Sequence, residues 1–146
     1  MFDLPDYSEV EHVSLAQWAD VFLICPATAN VIGKVACGIA DDFLTTAVMA
    51  ATGRVLFAPA MNDNMYKNPI VQKNIAALTA LGCIFTEPDE GMLACGTVGK
   101  GRLAEIDRII DDVELAAYKR KDLTGKKVLV TAGPTVEAID PVRFIS

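Results

Sequence analysis

Two polar segments of this sequence carry side chains suited to binding a ligand, and each follows an apolar run. The first reads PATAN and ends at Asn30, and the second reads PAMNDNMY and contains Asn62. The two asparagine amides offer both donors and acceptors, which suit a carboxylate or a peptide-like group. Met61 and Met65 add adaptable, polarisable side chains, which suit an aromatic ring or an alkyl arm. This mixture predicts a surface for a ligand that is partly apolar and partly amide-like.

The single histidine and one of the four cysteines are the candidates for proton transfer. Taken alone, His12 is best interpreted as an ordinary surface histidine near a helix start. Cys95 lies between small residues in LACG, where a reactive thiol and an inert thiol are equally open interpretations. Asn30 and Asn62, taken alone, favour a turn or a helix N-cap. Single positions therefore do not identify a site in this sequence.

Motifs for metal or phosphate binding are not found in the sequence. The cysteines at 25, 37, 83 and 95 form no C-x-x-C pair, and with one histidine they predict no metal site. Neither G-x-G-x-x-G nor G-x-x-x-x-G-K-[ST] occurs, and GTVGKG at 96–101 has the wrong glycine spacing for a phosphate cradle. Because residues 87–101 hold four glycines and a proline, we expect a long, flexible loop there.

Alternating strands and helices must position these residues. Continuous apolar runs predict strands that are buried on both faces, as in a parallel sheet. The strands are predicted at 20–25, 54–58, 83–86 and 127–131. Helix formers fill 31–51, with a break near Gly38, and Asn68 with Pro69 forms an N-cap followed by proline at N1.

Two helices show apolar periodicity. The helix that begins at Pro69 has a predicted buried face of Ile70, Val71, Ile75, Leu78 and Leu81. A later helix has a predicted buried face of Leu103, Ile106, Ile110, Val113 and Ala117. The whole pattern predicts an α/β fold with a doubly wound, mostly parallel sheet. Ligands bind outside the carboxyl ends of such strands, so Asn30 and Asn62 should lie at one edge.

Composition limits the class of protein. The chain has 146 residues, of which 52% are hydrophobic and 22% charged, as in a folded domain. A net charge of −6 argues against nucleic-acid binding, and no apolar run approaches the ~20 residues of a membrane span. The first residues show no signal peptide, which predicts a cytoplasmic protein with reduced cysteines. Both ends of the sequence read as cuts within a longer chain.

Four motifs, in order, resemble those of the flavin-dependent cysteine decarboxylases. PATAN resembles their PASANT motif, with Val31 in place of threonine. PAMNDNMY resembles P-x-M-N-x-x-M-W, with Tyr66 in place of tryptophan. ACG at 94–96 resembles the A-C-G of their substrate flap, and His12 lies in a segment that resembles the one carrying their active-site histidine. The resemblance covers residues 9–118.

The end of the sequence resembles a different enzyme. VTAGPT at 130–135 and IDPVRFIS at 139–146 are similar to the opening of phosphopantothenate–cysteine ligase. The two activities are fused in a family of bacterial bifunctional proteins of coenzyme A biosynthesis. The resemblance implies a decarboxylase domain over 1–119, without its first strand and phosphate-gripping loop, then a linker and first ligase strand over 120–146. For the ligase half of a whole protein it implies CTP and magnesium.

The resemblance implies a Rossmann-like flavoprotein fold and FMN-dependent decarboxylation of phosphopantothenoylcysteine to phosphopantetheine. The resemblance further implies that bound FMN would supply a two-electron oxidation at the thiol side before carbon dioxide leaves, and a hydride for the enethiol afterwards. His12 is implied as base or orienter in the oxidative half, and Cys95 as proton donor in the final reduction. The implied substrate-binding residues are Asn62, Met65 and Ala94, and the implied cofactor-binding residues are Thr28, Ala29, Asn30 and Met61. The family also implies a homotrimer or an assembly of trimers.

Other functions remain open from the same motifs. Peptidyl-cysteine decarboxylases share the first two motifs, but the ligase-like tail argues against them. Prenyl-flavin synthases share a loose version of the first motif and lack PAMN and the ACG flap. A non-catalytic regulatory flavoprotein could keep the pocket, although the presence of both His12 and Cys95 argues against that interpretation.

Overall fold

A parallel sheet of three strands lies at the centre of the protein. A computed structural model of the chain describes residues 11–92, 96, 98–118, 125–127, 129, 137–138 and 144–145. The strands are β1 (Val21–Ala27), β2 (Arg54–Pro59) and β3 (Ile84–Phe85), in the order β1-β2-β3. Both pairings are parallel, as predicted. The predicted strand at 127–131 falls for the most part outside the described residues.

Six helices are described along the chain, and they flank the sheet. They are α1 (Glu11–Trp18), α2 (Ala29–Ala36), α3 (Phe43–Ala50), α4 (Asp63–Tyr66), α5 (Pro69–Ala80) and α6 (Ile106–Ala117). The predicted Rossmann-like α/β class is therefore confirmed. None of the helices in the described part of the chain is long and apolar enough to cross a bilayer.

Local sequence explains where the helices begin and end. Gly38 has a φ of 69° between α2 and α3, a conformation that favours glycine, so the predicted break is confirmed. Asp42 then caps α3, because its Oδ1 accepts a hydrogen bond from the Thr45 amide at 2.8 Å. Asn68 caps α5 by accepting from the Ile70 amide at 2.9 Å, with Pro69 as the first helical residue. Both features follow directly from the residue types.

The two faces of β2 contact different helices. Phe57 is fully buried among residues of α2, α3 and α5, and its ring stacks on Phe85 at 4.8 Å between centroids. Ala58 points to the other face, where it packs with Ala104 and Ile109. Helices therefore cover both faces of the central strand, which is the doubly wound arrangement.

The prediction that β1 is buried on both faces is wrong. Leu23 is 39% exposed and Cys25 is also exposed, whereas Ile24 and Ala27 are buried. Pro26 is exposed as well, so burial along β1 is irregular, and the strand lies at an edge of the described sheet with a neighbouring strand on one side only. An apolar run alone does not distinguish an edge strand from a central one.

The predicted buried faces of two helices need correction. In α5, Leu78 is buried, but Ile70 is 70% exposed and Leu81 is 81% exposed. In α6 the buried residues are Ile109 and Ala116, and the predicted Ile106, Ile110 and Ala117 are exposed.

A buried hydroxyl explains the error in α6. Asp112 lies on the inward side of this helix and accepts a hydrogen bond of 2.6 Å from the Thr86 hydroxyl. Thr86 is only 1% exposed, so its hydroxyl needs a partner inside the protein. An acidic residue therefore occupies an inward position, and the apolar pattern of the sequence shifts to a neighbouring face of the helix.

The prediction of a long, flexible loop at 87–101 is wrong for the residues that the structure describes. Strand β4 (Asp89–Met92) pairs antiparallel with β5 (Val98–Arg102) and forms a hairpin. Several of its glycines lie where the hairpin contacts other parts of the protein. A second short pair, β6 (Glu137–Ala138) with β7 (Phe144–Ile145), lies near the end of the chain.

Alanine substitutions at two glycines should change the free energy of unfolding in opposite directions. A Cβ at Gly53 would lie 2.5 Å from the Ala19 carbonyl oxygen, and backbone cannot swing away. A Cβ at Gly33 inside α2 would meet Asn74 Nδ2 at an ordinary 3.7 Å. We expect Gly53→Ala to lower the free energy of unfolding by ~1–3 kcal/mol, and Gly33→Ala to raise it by ~0.5–1 kcal/mol. Urea unfolding of the whole protein measures both, and equal stabilities would contradict this packing.

Candidate functional site

The loops that follow β1 and β2 are joined at the carboxyl edge of the sheet. The amide of Ala60 donates a hydrogen bond of 3.0 Å to the carbonyl of Ala27. This bond holds the PATAN and PAMNDNMY segments side by side. The structure therefore brings the segments of Asn30 and Asn62 to one edge, which is where a doubly wound fold binds ligands.

The PATAN segment starts a helix at this edge. Thr28 caps α2, since its Oγ1 accepts from the Val31 amide at 3.4 Å. Ala29 and Asn30 form the first turn, and both Thr28 and Asn30 are exposed. The first turn of a helix carries a partial positive charge, which favours an electron-rich ligand group.

Asn62 has a structural role in the PAMNDNMY segment. It caps α4, because its Oδ1 accepts a hydrogen bond of 2.9 Å from the Asn64 amide. The N-cap interpretation of this residue is thus correct. It does not conflict with ligand binding, because a side-chain amide has a second acceptor lone pair and two donor hydrogens.

The two methionines of this segment have different environments. Met61 is partly buried against the main core, and its amide donates to the Gly101 carbonyl at 2.9 Å. Met65 is 48% exposed on α4. Met61 therefore links the site to the core, whereas Met65 leaves an apolar surface open beside Asn62.

The hairpin formed by β4 and β5 is docked on α4. The Lys100 amide donates to Asp63 Oδ1 at 3.0 Å, and Lys67 Nζ donates to Asp63 Oδ2 at 2.9 Å. A Cβ at Gly99 would lie 2.7 Å from the Asp63 side chain, so the strand approaches as closely as glycine allows. Sequence reasoning missed these residues, although G-K-G with glycine at every second position signals close backbone approach in a strand.

Charges around the hairpin keep their ionised forms. The hydrogen bond from Lys67 is the main cause that lowers the pKa of Asp63 below its ordinary value. Lys100 pairs with Glu87, which raises the pKa of Lys100 and lowers the pKa of Glu87. Lys100 Nζ also lies 6.0 Å from the centre of the Tyr66 ring, within reach of a cation–π contact.

His12 lies in α1, and its described ring contact is with α3. Its ring meets Phe43 edge to face, with 6.2 Å between centroids. Helices α1 and α3 each run back to the start of the next strand, so both begin on the carboxyl side of the sheet. His12, near the start of α1, therefore lies towards the same carboxyl edge as the PATAN and PAMNDNMY segments. Cys95 and Ala94 lie outside the described residues.

A cleft of about 260 Å³ lies at the opposite edge of the sheet. Its lining comes from the starts of β1 and β2 and the end of α6, and includes Gln17, Asp20, Gly53 and Arg54. The cleft therefore does not coincide with the candidate site. No group of three or more His, Cys, Asp or Glu side chains that could hold a metal occurs within the described ranges.

Comparison with known proteins identifies both parts of the chain. Residues 4–117 match the family described as Flavoprotein, and residues 123–146 match the C-terminal domain of the DNA/pantothenate metabolism flavoproteins. The chain is similar to the coenzyme A biosynthesis bifunctional protein CoaBC of Bacillus subtilis (strain 168), with 55% identity over 141 residues. The match covers 95% of this chain but 35% of that relative, so the chain spans about a third of its length.

Solved structures with the same fold include two relatives. One is a PPC decarboxylase mutant complexed with pantothenoylaminoethenethiol, with a TM-score of 0.71 and 38% identity over 73% of this chain and 60% of that one. The other is the FMN binding protein AtHal3, with a TM-score of 0.66 and 39% identity over 73% of this chain and 59% of that one. Because the family match covers most of the sequence, this chain belongs to the flavoprotein family.

Proposed function

We propose that the protein containing this chain decarboxylates phosphopantothenoylcysteine with FMN, and that residues 1–119 are most of its decarboxylase domain. Residues 120–146 would be the linker and the opening of a phosphopantothenate–cysteine ligase, which uses CTP and magnesium. One observation carries the proposal: the PATAN and PAMNDNMY segments are joined side by side at the carboxyl edge. The similarity to CoaBC and to a PPC decarboxylase supports the choice of substrate.

The residues at this edge fit a flavin. Ala29 and Ala60 have small, half-buried side chains, which leave the backbone at these positions open to a flat ring. Thr28, Ala29, Asn30 and Met61 would hold it, with amide and hydroxyl groups for its polar edge and a thioether for its face. Bound FMN supplies the two-electron oxidation before carbon dioxide leaves and the hydride that returns afterwards. The FMN-binding relative supports FMN over other flavins.

The chain's own residues would bind the substrate and move its protons. Asn62 would donate to the substrate carboxylate or amide, while Met65 and Ala94 contact its apolar arm. His12 would take or orient the thiol proton in the oxidative half. Cys95 would donate a proton to carbon in the final reduction, since a thiol of ordinary pKa ~8.5 is mostly protonated at neutral pH. The enzyme would work in the cytoplasm as a homotrimer or an assembly of trimers.

The first prediction concerns Asn62→Asp in the whole protein. Aspartate caps a helix as well as asparagine, so α4 should be retained. The new charge would oppose the substrate carboxylate in a partly desolvated site. We expect turnover to fall by about tenfold or more, which is ~1.4 kcal/mol of barrier, while bound flavin stays constant. Asn64→Asp, at an exposed position two residues along in the same turn of α4, is the control. Turnover of Asn62→Asp within about threefold of the unmodified protein would show that Asn62 does not contact the substrate.

The second prediction concerns His12→Asn. If His12 serves proton transfer at the thiol, its loss should slow the oxidative step by ~10²–10⁴. Stopped-flow bleaching of the flavin absorbance on mixing with substrate isolates this step. Gln17→Asn, an exposed change on the same helix, should bleach at the normal rate. Normal bleaching in His12→Asn would exclude the histidine from the reaction.

The third prediction tests the reaction as a whole through Cys95→Ser. Serine is a much weaker acid than cysteine, so this variant should release carbon dioxide without completing the reduction. An enethiol two hydrogens lighter than the aminethiol should accumulate. The ethenethiol bound to a PPC decarboxylase mutant in the related structure supports this expectation.

Mass spectrometry of a single-turnover mixture measures both products. Cys37→Ser provides the control, because that thiol is exposed at the end of α2. Release of the fully reduced product by Cys95→Ser at the normal rate would exclude Cys95 as the donor. Absence of carbon dioxide from the unmodified protein with FMN and substrate would refute the proposed function.

A further inference from the structure

Strand β5 is hydrogen-bonded to the residues on both sides of Asn62. On one side, the Met61 amide donates to the Gly101 carbonyl at 2.9 Å. On the other side, Asp63 Oδ1 accepts from the Lys100 amide at 3.0 Å. Two adjacent residues of the hairpin thus hold two residues that flank the asparagine. The position of Asn62 relative to the hairpin is therefore fixed by a pair of bonds.

The close approach depends on two glycines of the strand. A Cβ at Gly101 would lie 2.2 Å from the Met61 carbonyl oxygen, and a Cβ at Gly99 would lie 2.7 Å from Asp63 Cβ and Cγ. Both distances are shorter than any Cβ contact tolerates. The strand is seated against the backbone at 61–63, with no space left for a larger residue.

The Asp63 side chain links β5 to the residues on either side of Asn62. Its side chain is 20% exposed, and its two oxygens accept from different elements, Lys100 on the strand and Lys67 one turn along the helix. The bond from the Lys100 amide needs only an acceptor oxygen at this position, which an asparagine side chain also supplies. The Lys67 side chain is 65% exposed, so its ion pair contributes little to holding the strand, although it is the main cause of the lowered Asp63 pKa.

We propose that Asp63 is a positioning residue of the decarboxylase site, and that its carboxylate holds β5 against the loop so that Asn62 meets the substrate in the right place. The inference rests on the proposed function for the role of Asn62. A plain structural alternative exists, because an acidic first residue also favours the start of a helix. The experiment must separate a bond to the strand from a charge at the helix end.

Three substitutions separate these roles in the whole protein. Asp63→Ala removes both interactions, Asp63→Asn keeps an acceptor for the Lys100 amide but loses the charge, and Lys67→Ala removes only the ion pair. We expect hydrogen exchange of the Lys100 amide to accelerate about tenfold or more in Asp63→Ala, and to change by less than about threefold in the other two. The kcat/KM for decarboxylation should follow the same order. Bound flavin and the thermal midpoint should stay near those of the unmodified protein.

A matched pair of glycine substitutions in the hairpin tests the same contact between β5 and Asp63. Gly99→Ala pushes the strand away from an intact Asp63, and should reproduce the loss of kcat/KM. Gly91, its paired residue on β4, is the control, because a Cβ there would meet only the flexible Arg102 side chain at 3.2 Å. Gly91→Ala should show the same hydrogen exchange of the Lys100 amide and the same kcat/KM as the unmodified protein.

The outcomes decide between the two roles. Unchanged exchange at Lys100 in Asp63→Ala would overturn the proposal, as would equal loss of kcat/KM in Asp63→Asn and Asp63→Ala, which indicates the helix-end charge. Normal kcat/KM in Asp63→Ala despite faster exchange would also overturn it. If the unmodified protein releases no carbon dioxide, the proposed function is wrong. The positioning role of Asp63 is then wrong too, even if hydrogen exchange of the Lys100 amide still shows that Asp63 holds β5.

Discussion

The hydrogen bond from the Ala60 amide to the Ala27 carbonyl is the interaction on which the candidate site depends. It continues the parallel pairing of β1 and β2 beyond the register that ends at Ala27 and Pro59. The first turns of α2 and α4 therefore lie next to each other. Because the strands are buried around Phe57, the position of both helix starts is determined by the core and not by flexible loops.

Residues at this edge combine a structural role with side chains suited to a ligand. Thr28 and Asn62 each use a side-chain oxygen to cap a helix, while the Thr28 hydroxyl hydrogen and the Asn62 amide hydrogens are the donors that suit a ligand. Such double use holds each side chain in one orientation before a ligand arrives, which lowers the entropy lost on binding. The glycines of β5 admit this strand to close contact with residues 61–63.

Much of this architecture was predictable from the sequence, because its signals are local. The strands at β1 and β2, the break at Gly38 and the cap at Asn68 each depend on a few neighbouring residues. The hairpin was missed because its glycines resemble a loop in the sequence, and the residues that require them, Asp63 for Gly99 and Met61 for Gly101, lie far away along the chain. The inward Asp112 was missed because its partner, Thr86, lies 26 residues away.

The candidate site was predictable in part for the same reason. Order along the chain placed Asn30 and Asn62 at one edge, since parallel strands all end on the same side. The N-cap at Asn62 is local and was predicted, whereas the bonds that Met61 and Asp63 make with β5 depend on tertiary distances that no pattern of residue types contains. Exposure of Leu23 and Cys25 likewise depends on which strand lies at the edge.

The hairpin is attached on two sides by the same kind of bond. On the side of α4, Asp63 accepts from the Lys100 amide at 3.0 Å, and on the side of α6, Asp89 accepts from the Glu105 amide at 3.0 Å. Both carboxylates are largely shielded, with 20% and 23% of the side chain exposed, and each also pairs with a more exposed cation, Lys67 or Arg108. Dissolved salt screens exposed charges more than shielded ones. Ionic strength should therefore act on the outer ion pair of each attachment and leave the hairpin held on both sides.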